Sequence, residues 1–146
     1  PKEEHLYTPY IFTRDEIASF LQAAENIGPN REFPIRHMVL PLLFRTLYCC
    51  GLRISEALNL TVDSIDFENG ILILKNTKDY RDRLIPLSSE LRQRYLLYHQ
   101  RLHSGSTGNL YFFQSDYGKQ YSRGAVATNF RNLLVDSQIK QGKIIT

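Results

Sequence analysis

Arg53 is the residue whose type and setting most directly suggest chemistry. It follows Gly51-Leu52 at the end of a long apolar run, and Glu56 stands three positions further on. A guanidinium beside a buried segment needs an anionic partner, because an unpaired charge is costly to remove from water. That partner is either a local carboxylate, which would make Arg53 structural, or a bound anion such as phosphate, which a planar guanidinium meets with paired hydrogen bonds.

A second candidate region is the stretch 75–101, where basic residues outnumber acidic ones. Seven Lys and Arg stand there against three acids. A local basic field of this kind is compatible with a phosphate partner, and a solvated surface explains it equally well. The basic residues are Lys75, Lys78, Arg81, Arg83, Arg92, Arg94 and Arg101.

Hydrophobic periodicity and capping residues predict the helices that would hold these side chains. Thr13 and Glu16 form a capping-box pattern at the start of a first helix, and Gly51 suits the left-handed position that ends a second. Pro41 predicts a kink or a break within that second helix. The helices expected after the first are 34–50, 54–60, one that Ser88 or Ser89 caps and that reaches about 102, and a last one that Ser122 caps.

Short apolar runs predict the strands. The runs 71–74 and 83–87 are typical of a β-hairpin whose polar connection carries Lys78. A further short strand is expected at 110–113, where Phe112 and Phe113 are interpreted as core residues. The fold class expected is therefore α+β, mainly helical with a small antiparallel β-sheet.

Composition limits the classes of protein that this sequence can represent. With 146 residues, 42% hydrophobic and 23% charged, it is expected to fold as one ordered domain. Its apolar runs are too short for a transmembrane helix. Adjacent Cys49 and Cys50 cannot form a disulfide framework, and we expect both to be buried in a reduced, cytoplasmic protein. His99 and His103 have the spacing of a zinc pair but lack a third ligand, so no metal site is predicted.

Four segments of the sequence carry motifs whose order and spacing along the chain are informative. They are Gly51-Leu52-Arg53-Ile54-Ser55-Glu56-Ala57-Leu58-Asn59-Leu60, Asp63-x-Ile65-Asp66, Thr77-Lys78 and Arg83-Leu84-Ile85-Pro86-Leu87. In order, spacing and context they resemble the catalytic domain of the tyrosine recombinases, or phage integrases, over essentially the whole chain. The resemblance implies an extended lead-in or interdomain linker at 1–12 and the N-terminal part of that catalytic domain, truncated, at 13–146.

The resemblance also implies roles for individual residues. Arg53 takes the place of the family's first catalytic arginine, and Glu56 that of a supporting acidic residue. The catalytic lysine at the hairpin tip is matched best by Lys78, with Lys75 as the alternative because the length of the tip varies. In the family reaction the arginine stabilises the charge that develops on the phosphate, and the lysine protonates the leaving 5′ oxygen as a general acid.

The partners implied are double-stranded DNA and other recombinase protomers, with no membrane. Lys75, Arg81, Arg83 and Arg123 are candidates for contacts to DNA phosphates, and Arg123 has the help of a helix N-terminus. The reaction exchanges a phosphodiester bond for a phosphotyrosine bond, so the resemblance implies no cofactor, neither ATP nor a metal.

The sequence departs from the family in its second half. None of the four histidines has Arg at the third position after it, and none of the nine tyrosines occupies the expected C-terminal place. The H-x-x-R segment and the nucleophilic tyrosine are thus missing, and we expect this chain alone to be inactive. The function predicted is part of a site-specific DNA recombinase or integrase of a phage or mobile element. The alternative is a non-catalytic DNA-binding or partner-binding helical module on the same scaffold.

Overall fold

The computed structural model describes residues 12–75, 81–104, 110–116 and 118–137. Within these ranges helices predominate beside two small antiparallel sheets, which confirms the α+β class. The expected lead-in lies outside these ranges except for Phe12. No helix in the described ranges is long and apolar enough to cross a membrane. The elements are α1 (Arg14–Glu25), α2 (Arg36–Cys50), α3 (Ile54–Leu58), a 3₁₀ turn (Val62–Ser64), β1 (Ile65–Asp66), β2 (Ile71–Leu74), β3 (Arg83–Pro86), α4 (Ser89–Leu102), β4 (Gln114–Asp116), β5 (Lys119–Gln120) and α5 (Arg123–Asp136).

Helix α1 begins with the capping box that the sequence predicts. The Thr13 hydroxyl accepts from the amide of Glu16 at 3.1 Å, and the Glu16 carboxylate accepts from the amide of Thr13 at 2.9 Å. These two bonds satisfy amides that have no partner inside the helix. The helix then packs through Phe20, whose ring centroid lies 5.2 Å from that of Phe44 on α2 and 5.1 Å from that of Phe130 on α5. Aromatic contacts therefore join α1, α2 and α5.

Helix α2 runs through the core. Leu40 and Leu43 are fully buried, and the hydroxyls of Thr46 and Tyr95 share a buried hydrogen bond of 2.7 Å that ties α2 to α4. The helix continues through Pro41 without a break, so the alternative of two shorter segments is wrong. It ends at Gly51 as predicted, in the left-handed conformation with φ of 64°.

The expectation that both cysteines are buried is wrong. Cys49 is exposed and Cys50 is only half-buried, because the last turn of α2 extends past the core beside the exposed Tyr48. Both thiols are free. Burial, and to a lesser extent the neighbouring Cys49, raise the pKa of the Cys50 thiol to about 11, so it stays protonated at neutral pH.

The predicted hairpin is confirmed. Strand β2 pairs antiparallel with β3, and the last pair before the connecting segment is Leu74 opposite Arg83. A third strand that the sequence analysis missed, β1, pairs on the other side of β2 and aligns Ile65 with Leu72. Both of these side chains are buried, and they fix this small sheet to the core.

The prediction of a strand at 110–113 is wrong. Only Tyr111 forms a bridge, to Thr61, and the true strand β4 begins at Gln114. Phe112 and Phe113 are adjacent and both fully buried, as their interpretation as core residues requires. Successive residues of a strand point to opposite faces, so two neighbouring rings in one core are incompatible with a regular strand on a half-exposed sheet.

A buried polar cluster forms around the carbonyl of Phe112. This carbonyl accepts a bond of 2.6 Å from the hydroxyl of Tyr98 and lies 2.9 Å from Nε2 of His103. Because Nε2 faces an acceptor, it carries the proton of the neutral ring. His103 is only 3% exposed, and this burial lowers the pKa of its imidazole.

We expect the free energy of unfolding to decrease as the pH falls below about 6.5, the ordinary pKa of histidine. The unfolded chain protonates His103 there, whereas the folded chain protonates it only at a lower pH. Between these two pKa values the unfolded state binds more protons, so stability falls by up to about 1.4 kcal/mol per pH unit. Chemical denaturation between pH 7.5 and 5 measures this slope.

The variant His103→Gln should lose that part of the slope, because glutamine has no proton to gain. His37→Gln, at a partly buried imidazole on α2, serves as the control. An unchanged slope in His103→Gln would show that another group is responsible.

Candidate functional site

The turn between α2 and α3 presents Arg53. After the left-handed Gly51, Leu52 is buried and anchors the turn, and Arg53 takes the extended N-cap position of α3. Its side chain is exposed. Its guanidinium makes no hydrogen bond or ion pair within the part of the chain that the structure describes. Within those residues no carboxylate forms an ion pair with this guanidinium, although the charge of Arg53 helps to lower the pKa of Glu56.

Glu56 instead binds the backbone of Arg53. Its Oε1 accepts from the Arg53 amide at 2.9 Å, as the third helical residue does in a capping box. Its Oε2 lies 3.1 Å from Nη1 of Arg83 on β3, and the second guanidinium nitrogen lies 3.5 Å from Oε1. The bond from the Arg53 amide lowers the pKa of this carboxyl, and Arg83 lowers it further. One carboxylate thus joins α3 to the hairpin.

The ends of the hairpin strands carry the next candidates. Lys75 follows β2, and its Nζ lies 3.4 Å from a carboxylate oxygen of Asp82 across the hairpin, although 75% of the lysine side chain is exposed. Arg81 is exposed. Lys78 lies between these residues in sequence but outside the described ranges. The structure therefore places Lys75, but not Lys78, relative to Glu56.

Three arginines of the basic stretch make contacts within the fold. Arg92 donates to the backbone carbonyls of Phe67 and Glu68, which closes the turn between β1 and β2. Arg94 lies 2.9 Å from Glu25 on α1 and 3.3 Å from Glu90 on its own helix. Arg83 and Arg94 are therefore matched by carboxylates, whereas Arg92 keeps its charge while its donors bind carbonyls of the fold.

Arg123 is the remaining candidate for a phosphate contact. It is the first residue of α5, where the Ser122 hydroxyl accepts from the amide of Ala125 at 3.1 Å as the predicted cap requires. Its exposed side chain borders an apolar groove of about 690 Å³ between α1, α2 and α5. Ile54, the neighbour of Arg53, also lines this groove. The groove therefore brings the N-terminus of α5 to the side of the molecule that carries α3.

The two histidines do not form a metal site in the described ranges. His103 is buried and bonded to a backbone carbonyl, and no group of three His, Cys, Asp or Glu that could hold a metal ion occurs among the residues placed.

Sequence comparison gives the family of this chain. Residues 11–144 match the model of the phage integrase family. The chain belongs to the phage integrase family. The y4rE protein of Sinorhizobium fredii, which carries an integrase/recombinase name, is 26% identical over 99% of this chain. The tyrosine recombinase XerA of Thermococcus kodakarensis is 27% identical over 92% of it. The chain covers 47% and 50% of these two proteins, so it spans about half the length of its integrase relatives.

Solved structures of integrases and recombinases share the fold. The crystal structure of XerA recombinase matches with a TM-score of 0.73 at 20% identity and covers 93% of this chain and 46% of its own. The Tn1549 transposon integrase in complex with a circular intermediate DNA matches with a TM-score of 0.64 at 19% identity, over 94% of this chain and 48% of its own. The resemblance drawn from the sequence is confirmed, and so is the recombinase-like fold.

The contacts of Glu56 predict a measurable titration. We expect its carboxyl to titrate below the usual range of glutamate, because the Arg53 amide and the Arg83 guanidinium both favour the ionised form. Replacing Arg83 with Met should raise this pKa only in part, since the bond to the Arg53 amide remains. Carboxyl-detected NMR of Glu56 measures it. The control Lys75→Met removes a nearby exposed charge and should leave the value nearly unchanged, and a Glu56 that titrates like an ordinary glutamate would contradict both contacts.

Proposed function

We propose that this chain is the part of a site-specific DNA recombinase that activates the scissile phosphate, in a protein that cuts and rejoins DNA through a phosphotyrosine intermediate. The observation that carries the proposal is the arrangement around Glu56. Its carboxylate binds the backbone amide of Arg53 and the side chain of Arg83, the first residue of the strand after the lysine-bearing segment. The Arg53 guanidinium stays exposed. Membership of the integrase family and the DNA complex of the Tn1549 integrase support it.

Arg53 is proposed to bind two non-bridging oxygens of the phosphate. Charge on these oxygens increases as a tyrosine hydroxyl attacks phosphorus, so the paired bonds strengthen in the transition state. At the N-cap position the backbone of Arg53 is extended, and its side chain projects into solvent. The attacking tyrosine is not assigned within this chain, since no H-x-x-R segment or late tyrosine accompanies the motif.

A hairpin lysine is proposed to act as the general acid. As the bond between phosphorus and the 5′ oxygen breaks and the bond to the tyrosine oxygen forms, the lysine ammonium gives its proton to the 5′ oxygen. The phosphodiester is exchanged for a phosphotyrosine ester, and no bond energy has to be supplied from outside. We propose Lys78 for this role. The match to the family's lysine at the hairpin tip supports this choice, and Lys75 is the alternative.

Duplex DNA and further protomers of the same protein are the proposed partners. Lys75, Arg81 and Arg123 are proposed to contact DNA phosphates. Arg123 gains from its place at the first turn of α5, where the amides of the helix end favour an anion. Such contacts fix the orientation of the protein on the duplex without reading its sequence.

The exposed guanidinium of Arg53 gives the sharpest test of the proposed chemistry. In the full-length gene product, Arg53→Lys keeps the charge but loses the paired hydrogen bonds. We expect single-turnover cleavage to slow by about 10²–10³-fold, the loss seen when one oriented donor to a developing oxyanion is removed. DNA affinity and melting temperature should stay nearly the same, and Arg131→Lys, at an exposed arginine on α5, is the control.

A lower melting temperature with an intact chemical step would assign Arg53 a structural role instead. A full-length gene product that binds duplex DNA but yields no denaturant-resistant protein–DNA species would favour the non-catalytic module.

The identity of the general acid is tested with a modified substrate. We expect Lys78→Ala to slow cleavage far more than it weakens binding. A substrate with sulfur in place of the bridging 5′ oxygen should restore much of the lost rate, because a thiolate leaves without a proton. Lys75→Ala is the matched variant and should show neither the defect nor the rescue. Rescue of Lys75→Ala in place of Lys78→Ala would move the role to Lys75.

A further inference from the structure

Arg83 begins strand β3 at the end nearest the connecting segment of the hairpin. It stands opposite Leu74, and the pair Lys75–Asp82 follows immediately. Its guanidinium reaches the carboxylate of Glu56, 27 residues earlier in the chain, on a different element. A contact made by Arg83 therefore acts at the end of β3 that lies next to the connecting segment.

Burial does little to hold strand β3, although Leu74 opposite Arg83 is buried. Along β3 only Ile85 is partly buried, and Leu84 is 59% exposed. The far end of the strand is tied by the amide of Leu87, which donates to the carbonyl of Gly70 at 2.8 Å. At the near end, the contact with Glu56 links the strand to α3.

We propose that Arg83 is a positioning residue, which holds the hairpin at a fixed distance and angle from Arg53 through the shared carboxylate of Glu56. The inference rests on the proposed function, because it concerns the relation between the phosphate-binding arginine and the lysine-bearing hairpin. It departs from the expectation that Arg83 binds a DNA phosphate, since its donors are directed at a carboxylate.

The contact suits a role in geometry better than one in stability. The Arg83 side chain is 56% exposed and that of Glu56 is 26% exposed, and ion pairs that water reaches contribute little to folding. A fork of two donors facing two oxygens nevertheless fixes orientation as well as distance. Small displacements of reacting groups have large effects on rate, so a contact of this kind matters more to catalysis than to folding.

The first experiment measures the hairpin in this chain itself, without any reaction. Amide order parameters of Lys75 and Asp82 from ¹⁵N relaxation should fall in Arg83→Gln and in Glu56→Gln. The order parameters of the double variant should be no lower than those of the single variants, because all three proteins lose the same contact. Arg131→Gln, which removes a charge elsewhere on the surface, should change nothing. Unaltered order parameters in Arg83→Gln would overturn the proposal, whether or not the protein cuts DNA.

The second experiment separates positioning from phosphate binding. The dependence of duplex binding on salt should be the same for Arg83→Gln and the unmodified chain. Loss of a phosphate contact lowers the slope of log affinity against log salt by about one. Such a drop in Arg83→Gln would overturn the proposal and return Arg83 to the DNA contacts.

The third experiment addresses the reaction in the full-length gene product. Arg83→Gln should slow single-turnover cleavage about 10- to 100-fold at saturating DNA, the range expected for a misplaced catalytic group. Arg83→Lys should recover part of this rate, because the charge contact with Glu56 remains. A loss of rate that follows a fall in melting temperature would assign Arg83 to folding and overturn the proposal. Absence of cleavage in the unmodified protein would instead count against the proposed function, and the order parameters would still decide the role of Arg83.

Discussion

The carboxylate of Glu56 is the contact on which the arrangement of the candidate site depends. Helix α3 has only five residues, so few of its amides find partners inside the helix, and the first of them need an outside acceptor. Glu56 accepts one bond from the Arg53 amide and binds Arg83 with its remaining lone pairs. The same ionised group therefore starts the helix, sets the backbone from which Arg53 projects, and fixes the first residue of β3.

The core supplies the rigidity that such an arrangement needs. Helix α2 is held by the buried hydrogen bond between Thr46 and Tyr95 and by the packing of Phe44. Only Gly51 and Leu52 separate the end of α2 from Arg53, so the position of the helix largely determines that of Arg53. Gly51 adopts a left-handed backbone conformation that other residues strongly disfavour, and this conformation turns the chain from the end of α2 towards Arg53. The exposed guanidinium thus stands on a backbone whose position is determined by the interior of the protein.

Local signals in the sequence were sufficient for most of the helices and the hairpin. Thr13, Ser122 and Gly51 mark helix ends through bonds and dihedral angles that a few neighbouring residues determine, and each has the predicted role. The errors concern features that are decided by pairing and packing in the folded chain. Strand β1 exists only because β2 pairs with it, and the segment 110–113 is shaped by burial of two adjacent rings.

The site shows the same limit. The spacing of Arg53 and Glu56 indicates a capping contact, which the structure contains, and this signal was available in the sequence. The pairing of Glu56 with Arg83 joins elements 27 residues apart and depends on how the sheet packs against α3. Likewise, no local pattern distinguishes Arg92 and Arg94, which bind carbonyls and carboxylates of the fold, from basic residues that project into solvent.

The internal pairing of these basic residues affects how the protein would approach DNA. Arg83 and Arg94 are matched by carboxylates, so their charges add little to the potential far from the surface, whereas Arg53 and Arg123 face the solvent. In the proposed reaction, attraction to the duplex would therefore come chiefly from the cations outside these pairs, among them Arg53 and Arg123. The salt dependence of DNA binding would then report how many of these exposed cations reach phosphates, and not the total count of Lys and Arg.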